Sequence, residues 1–558
     1  MVSNFLKNGT NFFKQKQENI LSAAAVIALM MLASRFLGLL RDRLLASYFG
    51  ASADLDVYFA AFRLPDILFQ LIIMGALSAA FIPVFSEYLS RGKEKEAFAI
   101  TNSVLNASFL VFGALAGLIF IFAYPLGKLI APGLAPWQID KMVVLTRLML
   151  LGQFFLIASN FLTGVLQSFQ RFLVPAVAPL MYNLGIIAGI VILSPGLGIY
   201  GPTLGVILGS FLHFIIQVPL IYAFGFRYAA KLDLGHQGVK EVIRLMLPRI
   251  FGLAVSQIDP TVDVILASLL GAGSISVFNL ALHLQSLPVG VFAFAIGTAA
   301  LPSLAKEYTE KNLDKFKQIF LDSFHQILFL TVPASVFLLV LRLPIVRLVL
   351  GTGKFDWAST LSTALTLGLF SLSICAQSLV HVLARAFYAL HNTKTPVVVS
   401  LISVGINVVA ALILFHTRLE VAGLALAASL ANFVNAGLLL YILDKKVGGF
   451  ERKKLILPAT KIFTAATIMG LVTYLPVKIL DQVFIDTSYV ANLLVLTLLV
   501  SSFGLMTYIF LAYLFDLKEL RILIDILKRI RNWPSIFFKL KDEEAIKEKI
   551  IEGSEHDA

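Results

Sequence analysis

Four charged residues lie close together inside the first long apolar run of the chain. The stretch Ser34–Gly50 reads SRFLGLLRDRLLASYFG, in which Arg35, Arg41, Asp42 and Arg43 interrupt the apolar residues. An arginine at the centre of a membrane helix costs about 2.5–3.5 kcal/mol on the insertion scale. Such residues are retained where they line a polar cavity, and arginine binds phosphate or diphosphate groups through paired hydrogen bonds. The pattern therefore indicates an anion-binding site within the membrane.

These arginines also have a simpler interpretation. Arg41 and Arg43 could lie at the end of a shorter first helix and extend to the membrane surface, which is the interpretation we favour for Arg43. Arg35 and Asp42 are seven residues apart, so on a helix they fall on nearly the same face while Arg41 points away. We place Arg35 and Arg41 in a cavity because cations are otherwise scarce at that end of the runs.

Three arginines in later apolar runs are further candidates. Arg63 in the second run is the strongest, and Arg147 in the fourth is weaker. Arg249 follows Pro248 near the end of a run, where an arginine at the membrane surface is an equally good interpretation. Acidic residues are rarer within the runs, so we expect a net cationic cavity.

Two aspartates could serve ion coupling. Asp259 and Asp263 are four residues apart in the seventh run and share a helix face. They could bind Na⁺ or H⁺, or simply be polar residues that line a cavity. The membrane potential is a second energy source, worth about 2.3 kcal/mol per charge per 100 mV. We expect no other cofactor and no metal centre, since Cys375 is the single cysteine and the histidines lack metal-ligand spacing.

The composition indicates that much of the protein surface faces lipid. Of 558 residues, 58% are apolar and 14% are charged, and the mean hydropathy is +0.88. Soluble proteins have about a quarter of their residues charged. A membrane helix needs about 20 apolar residues. Fourteen runs of that kind cover residues 21–49, 57–89, 100–131, 141–168, 174–194, 200–224, 241–270, 276–304, 318–350, 358–388, 396–415, 420–443, 456–479 and 489–514.

The segments between the runs alternate in charge. Lysine and arginine concentrate near residues 7–16, 91–95, 227–240, 306–317 and 445–454, whereas GASADLD, SPGLGIYG, GAGSIS and DQVFIDTS contain none. Cations accumulate on the cytoplasmic side of membrane proteins, so both termini are predicted to be cytoplasmic. The net charge of +12 is therefore a topology signal rather than a sign of nucleic-acid binding.

The chain repeats itself at an offset of about 220 residues, which indicates two homologous halves. LLASYFGA matches ILASLLGA, IPVFSEY matches LPSLAKEY, and Trp137 matches Trp357. Six runs separate the copies, so both halves have the same orientation, as in transporters that hold substrate between parallel repeats. We predict an all-α polytopic protein with an N-terminal segment (1–20), an N-lobe (21–225), a C-lobe (238–445), two extra helices (454–515) and an amphipathic cytoplasmic tail (516–558).

Several motifs resemble one family of membrane proteins. SRFLGLLRD, FGASADLDVYFAAFRLPD, GALSAAFIPVFSEY, RFLVPAVAPLMYN, LPVGVFAFAIGTAALPSLAKEY and LARAFYALHNTKTP occur in that order over most of residues 20–450. They resemble the MurJ (MviN) lipid II flippases of the multidrug/oligosaccharidyl-lipid/polysaccharide exporter superfamily. The resemblance implies two six-helix lobes in a V around a cationic cavity, with the last two helices forming a groove for the polyprenyl tail.

The resemblance also implies an activity and its residues. The activity is transfer of undecaprenyl-diphosphate-linked peptidoglycan precursor from the inner to the outer leaflet of the bacterial plasma membrane. The family's charged residues carry over as Arg35, Arg41 with Asp42 beside it, Asp56 and Arg63. Peptidoglycan polymerases and division proteins are the implied protein partners, although no residue specifies one.

Two positions depart from the family pattern. After Leu64-Pro65 the family often has further arginine, where this chain has Phe69 and Gln70. In the eighth run His283 stands where the family usually has arginine. Histidine could take its place when protonated, or could be a neutral residue that packs between helices.

Other functions remain as alternatives. A flippase for another polyprenyl-diphosphate-linked oligosaccharide of O-antigen or capsule type is the nearest. A cation-coupled drug exporter of the same superfamily is a second alternative, although its cavity should be acidic. We predict that the chain is not an enzyme, because it has no P-loop and no large polar loop with catalytic carboxylates.

Overall fold

A computed structural model of the chain describes residues 20–74, 80–483 and 489–531, and these residues form helices and no strand. Eleven helical segments among them are long and apolar enough to span a membrane, or twelve if the bent pair Trp357–Ser371 and Ile374–Ala389 counts as one span. The all-α polytopic fold class is confirmed. The number of fourteen spans stays a prediction, and the predicted segments before residue 20 and after residue 531 lie outside the described residues.

The helices of the N-lobe follow the predicted apolar runs, several of them broken in two. They are α1 (Ile20–Phe49), α2 (Ala53–Phe69), α3 (Ile82–Ser90), α4 (Glu94–Ile121), α5 (Ala123–Ile130), α6 (Pro136–Ser168), α7 (Leu173–Ala188), α8 (Ser194–Leu197), α9 (Tyr200–Ile215) and α10 (Val218–Ala223). A π-helical turn at Gln70–Met74 continues α2, and one at Gly189–Leu193 follows α7.

The C-lobe and the extra helices complete the described chain. The C-lobe contains α11 (Gln237–Ser256), α12 (Ile258–Ser268), α13 (Ser274–Pro288), α14 (Phe294–Thr309), α15 (Leu313–Val340), α16 (Arg342–Val349), α17 (Trp357–Ser371), α18 (Ile374–Ala389), α19 (Lys394–Phe415) and α20 (Val421–Lys446). The two extra helices are α21 (Arg452–Val483) and α22 (Val490–Leu514), and α23 (Lys518–Arg531) follows them in the predicted tail. A π-helical turn at Val289–Ala293 joins α13 to α14.

The two lobes repeat each other in detail. In the N-lobe a 28-residue helix, α4, is followed by an 8-residue helix, α5, and in the C-lobe α15 and α16 have the same two lengths. Left-handed backbone residues recur at matching places: Gly50 with Gly271, Gly92 with Lys311, Gln170 with His391, and Gly198 with Glu420. Helix lengths and turns thus follow the offset of about 220 residues seen in the sequence.

The lobes meet tightly at one end of the molecule, which we call the closed end. It comprises the loops 50–52, 131–135, 269–273 and 350–356. The Lys354 backbone N–H donates to the Ser47 carbonyl at 2.8 Å, and the Gly133 N–H donates to Ser268 Oγ at 3.2 Å. The backbone of Ala51 lies so close to Gly273 that a side chain there would overlap it.

The two extra helices pack against the C-lobe. The Tyr508 hydroxyl on α22 donates to the Phe329 carbonyl of α15 at 2.8 Å. Gly504 of α22 lies against Phe337, where a larger residue would be crowded. The outward faces of α21 and α22 expose large apolar side chains, including Leu471, Leu475, Leu498, Leu499 and Phe510. This is the surface that lipid chains solvate well.

Small residues allow α7 and α9 to approach closely within the N-lobe. A Cβ atom at Gly185 would overlap the backbone of Gly209, and one at Gly189 would overlap Gly205. Helices in membranes associate through such small-residue contacts. We therefore expect Gly185→Ala to lower the melting temperature of the purified protein by about 3 °C or more.

The matched control is Gly437→Ala, since Gly437 is also a helical glycine but has open space around it. Alanine is favoured over glycine in a helix by about 1 kcal/mol, so this variant should melt at the same or a higher temperature. Equal melting temperatures for the two variants would contradict the close contact between α7 and α9.

Candidate functional site

A cavity of about 250 Å³ lies between the two lobes near the closed end. Its walls come from α1, α2 and α7 of the N-lobe and from α12 and α13 of the C-lobe. The lining residues are Arg41, Leu45, Tyr58, Phe59, Phe62, Arg63, Asp66, Tyr182, Pro260, Val264, Phe278, Asn279, Leu282 and His283. Arginine, histidine and tyrosine can all donate hydrogen bonds to an anion, so the cavity has the donors that a phosphate group requires.

Arg41 is held at the cavity wall by two neighbours. Its Nε and Nη2 atoms donate to Asp42 Oδ1 at 3.0 and 2.8 Å, and its Nη1 donates to Asn183 Oδ1 of α7 at 3.4 Å. Asp42 is buried, whereas about a fifth of the Arg41 side chain is exposed. The buried carboxylate therefore orients the guanidinium and leaves part of it accessible from the cavity.

Arg63 connects the lobes across the cavity. Its Nε donates to Thr261 Oγ1 at 2.9 Å, and its Nη2 donates to the backbone carbonyl and the side-chain oxygen of Gln257 at 2.7 and 3.0 Å. These acceptors lie where α11 ends and α12 begins. The break in this helix thus supplies carbonyl oxygen to the arginine.

Helices α1 and α13 form a seam between the lobes. Asp42 Oδ2 on α1 lies within hydrogen-bonding distance of His283 Nδ1 on α13, at 2.9 Å. A second contact lies two helical turns away from this one. There the Arg35 guanidinium lies against Gly290, where any side chain would overlap it. Arg35 and Asp42 therefore share one face of α1, as the seven-residue spacing predicts, and both contact the C-lobe.

The structure does not place Arg35 in the central cavity. Arg35 lines a second cavity of about 370 Å³, together with Ser34, Gln167 and several apolar residues of α7. The structure therefore places Arg41 and Arg35 in different cavities, and the substrate-binding role of Arg35 stays a prediction. The reason is rotation along α1, because six residues separate the two arginines and place them on different faces.

Asp56 also lies outside the cavity lining. It is buried at the closed end, where Oδ2 accepts from the Gly273 N–H at 2.5 Å and Oδ1 accepts from the N–H and hydroxyl of Ser276 at 2.7 and 2.6 Å. These donors belong to the first turn of α13 and the residue before it, where backbone N–H groups favour a carboxylate. Asp56 thus caps a C-lobe helix in this structure. Its predicted role in binding the substrate stays a prediction.

Arg43 makes the complementary contact. Its Nη1 donates to the carbonyls of Leu348 and Val349 at the end of α16. Cations are favoured at helix C-termini, where carbonyls lack partners within the helix. Arg43 thus joins the two lobes at the closed end, and its predicted position at the membrane surface stays a prediction.

The two acidic candidates of the C-lobe come together with an amide. Asn407 Nδ2 of α19 donates to Asp259 Oδ1 at 2.5 Å. Asp263, one turn further along, is buried, and its Oδ1 has no hydrogen-bond partner among the described residues; nor has Asn407 Oδ1. Two buried oxygens without donors beside a second carboxylate are suited to bind a cation.

The sequence analysis did not identify every residue of the cavity lining. Asp66 lies in the lining, three residues after Arg63 in the motif FRLPD, and that spacing on a helix was the available signal. Phe69, in place of the family's arginine, packs against the apolar core.

Arg147 lies away from the cavity. Its Nε donates to the Phe120 carbonyl at 3.1 Å, and its guanidinium stacks over the Phe120 ring at 4.5 Å. Phe120 is itself half exposed on the outside of the N-lobe. The weak expectation that Arg147 lines the cavity is therefore wrong.

The sequence and the fold both match known proteins. The model of the family described as Lipid II flippase MurJ matches residues 45–495. A probable lipid II flippase MurJ from Buchnera aphidicola is 30% identical over 451 residues, which cover 78% of this chain and 86% of that protein. The lipid II flippase MurJ of Burkholderia cenocepacia is 29% identical over 450 residues, covering 78% and 85%.

Solved structures agree with these relatives. A structure of lipid II flippase MurJ in an inward closed conformation aligns with a TM-score of 0.75 at 28% identity, covering 90% of this chain and all of that one. An inward-facing MATE family transporter aligns with a TM-score of 0.62 at 15% identity over 75% of this chain, which shows a shared fold alone. With the family model matching four fifths of its length, this chain belongs to the lipid II flippase MurJ family.

Proposed function

We propose that this protein moves lipid II, the undecaprenyl-diphosphate-linked peptidoglycan precursor, from the inner to the outer leaflet of a bacterial plasma membrane. The observation that carries the proposal is the pair Arg41 and Arg63, which reach one cavity from the N-lobe and lie opposite the C-lobe. The names of the relatives favour lipid II over other polyprenyl-linked oligosaccharides and over drugs.

The cavity can accept a diphosphate without losing its existing contacts. Within the described residues, Arg63 Nη1 makes no hydrogen bond, and Arg41 Nη1 makes a single long one. A guanidinium has five N–H donors, so each arginine keeps donors for a phosphate oxygen. Bonds between charged partners are about twice as strong as neutral ones, which suits the headgroup of a lipid that must leave water.

The charge of the loops supports an orientation. The closed end contains the cation-poor segments GASADLD and GAGSIS, and the cation-rich segments lie at the opposite ends of the same helices. By the positive-inside rule the closed end faces the outside and both termini are cytoplasmic. The headgroup then enters from the cytoplasm and leaves after the closed end opens.

The polyprenyl tail stays in lipid during transfer. Helices α21 and α22 cover most of the predicted segment 454–515 and expose many large apolar side chains, and they serve as the surface along which the tail slides. Peptidoglycan polymerases and division proteins are the candidate protein partners, because they use lipid II once it reaches the outer leaflet.

Asp259, Asp263 and Asn407 serve as the coupling site for Na⁺ or H⁺ in this proposal. The two oxygens without donors, Asp263 Oδ1 and Asn407 Oδ1, support a bound cation. The site lies on α12, the helix that also supplies Thr261 to Arg63, so occupancy by an ion can alter the wall of the cavity. The membrane potential can add energy by acting on the charges of the cavity.

Replacing the cavity arginines tests the proposal. In a bacterium depleted of its own lipid II flippase, we expect Arg41→Gln and Arg63→Gln to reduce outer-leaflet lipid II about tenfold or more, since each removes charged hydrogen bonds to the diphosphate. Outer-leaflet lipid II is measured by its cleavage with an externally added lipid II-degrading toxin.

Arg147→Gln is the matched control, because this arginine stacks on Phe120 away from the cavity. At equal membrane expression, this variant should restore outer-leaflet lipid II as fully as the unchanged protein does. Rescue by both cavity variants would refute the diphosphate-binding role of the arginines, and failure of the unchanged protein would point to another lipid-linked glycan.

Replacing one acidic residue tests the coupling site. We expect Asp263→Asn to weaken ²²Na⁺ binding to the purified protein about tenfold and to remove the effect of a Na⁺ gradient on flipping in proteoliposomes, because a carboxylate ligand is lost. If protons are the coupling ion, the variant loses its response to a pH gradient instead.

The control for this experiment is Glu87→Gln, which removes an exposed carboxylate that pairs only with Arg91 on the surface. It should keep the response of the unchanged protein to both gradients. Identical responses of the Asp263→Asn variant and the unchanged protein would rule out coupling through this site.

A further inference from the structure

Arg385 on α18 lies outside both cavities described above and contacts α14. Its Nη2 donates to Thr298 Oγ1 at 3.0 Å, and its Nη1 donates to the His381 carbonyl at 3.2 Å. The guanidinium also stacks over the Phe294 ring at 5.3 Å. The side chain is thus fixed in position across two helices, with Gly297 leaving room for it.

Arg385 has no acidic partner among the described residues. Arg41 and Arg43 differ from it in this respect, because Arg41 pairs with Asp42 and Arg43 binds the last carbonyls of α16. Arg385 is only half buried, and its contacts leave Nε and part of both Nη groups without acceptors. A positioned cation with spare donors is a basis for binding an oxyanion.

The surface beside Arg385 is polar or small rather than lipid-like. The exposed residues of α14 after Phe294 are Ala295, Thr298, Ala299, Pro302, Ser303, Lys306 and Thr309. By contrast, the exposed face of α19 in the same lobe has Val398, Leu401, Ile402, Val409 and Leu412. Large apolar residues suit lipid, whereas small and polar ones suit water, so the composition of this α14 face fits contact with water.

A row of polar residues extends along α18 from Arg385. Gln377, His381 and Arg385 are spaced by four residues and share one face of α18. Gln377 Oε1 accepts from Gln285 Nε2 of α13 at 2.9 Å. The row therefore connects Arg385 to the contact between α18 and α13 inside the C-lobe.

We propose that Arg385 and Thr298 form a second oxyanion site, which binds an anionic group of the lipid II headgroup beside α14. The inference rests on the proposed function. Lipid II offers two oxyanions, its diphosphate and the carboxylates of its peptide, and the Arg385 guanidinium can bind either one bidentately. The site either holds the diphosphate on its way to Arg41 and Arg63 or holds the peptide while the diphosphate is in the cavity.

The test is a binding titration with purified full-length protein in detergent, using microscale thermophoresis. Two probes are used: lipid II, and undecaprenyl diphosphate, which lacks sugar and peptide. We expect Arg385→Gln to weaken lipid II binding about tenfold, as expected for loss of charged hydrogen bonds. Arg385→Lys should lie between this variant and the unchanged protein, since lysine keeps the charge but not the paired donors.

Two further variants separate binding from structure. Arg147→Gln removes an arginine with the same kind of contacts, one carbonyl and one phenylalanine ring, and should bind both probes normally. Thr298→Val removes the bond between α14 and α18 but keeps the cation. It should weaken binding less than Arg385→Gln does, and all variants should keep the melting temperature of the unchanged protein.

The outcomes identify the ligand group or overturn the inference. Weakened binding of lipid II alone assigns the site to the peptide carboxylates, and weakened binding of both probes assigns it to the diphosphate. Normal binding of both probes by Arg385→Gln, when Arg41→Gln binds weakly, overturns the second site and leaves the proposed function intact. Absence of lipid II binding by the unchanged protein would remove the proposed function itself.

Discussion

The two lobes are joined at the closed end by two charges that each meet the end of a helix from the other lobe. Asp56 of the N-lobe accepts three hydrogen bonds at the start of α13, and Arg43 donates to the last carbonyls of α16. A carboxylate is favoured at a helix N-terminus and a cation at a C-terminus, so both contacts follow the helix dipole. Together with the backbone contacts of Lys354 and Gly133, they close the central cavity at this end.

The same contacts set the energy that opening requires. Hydrogen bonds to charged groups contribute about 1.5–3 kcal/mol each, so a closed end that uses several of them does not open without compensation. A ligand shifts such an equilibrium only by the difference between its affinities for the two states. In the mechanism that we propose, the cavity arginines, the acidic pair on α12 and the membrane potential supply that difference.

Much of this architecture could be predicted from the sequence, because apolar runs and their repeat report directly on helices and lobes. The paired 28- and 8-residue helices and the matched left-handed residues follow the repeat. The common face of Arg35 and Asp42 followed from helical spacing.

The partners of charged residues could not be predicted in this way. Asp56 binds groups 217 and 220 residues away, and Arg43 binds carbonyls more than 300 residues away. Local spacing contains no information about such contacts. For the same reason the sequence placed Arg35 with Arg41 and overlooked Asp66, since which face of a helix meets a cavity depends on the neighbouring helices.

The most direct test of this account is a crosslink across the closed end. Ser47 and Lys354 are joined by a backbone hydrogen bond of 2.8 Å between the lobes, so Ser47→Cys and Lys354→Cys place two thiols close together. The single native cysteine is replaced by Cys375→Ser, and outer-leaflet lipid II is measured before and after oxidation of cells. The account predicts that oxidation stops flipping and that a reducing agent restores it, whereas either single-cysteine variant is unaffected. Continued flipping by the fully crosslinked protein would show that the closed end does not open during transport.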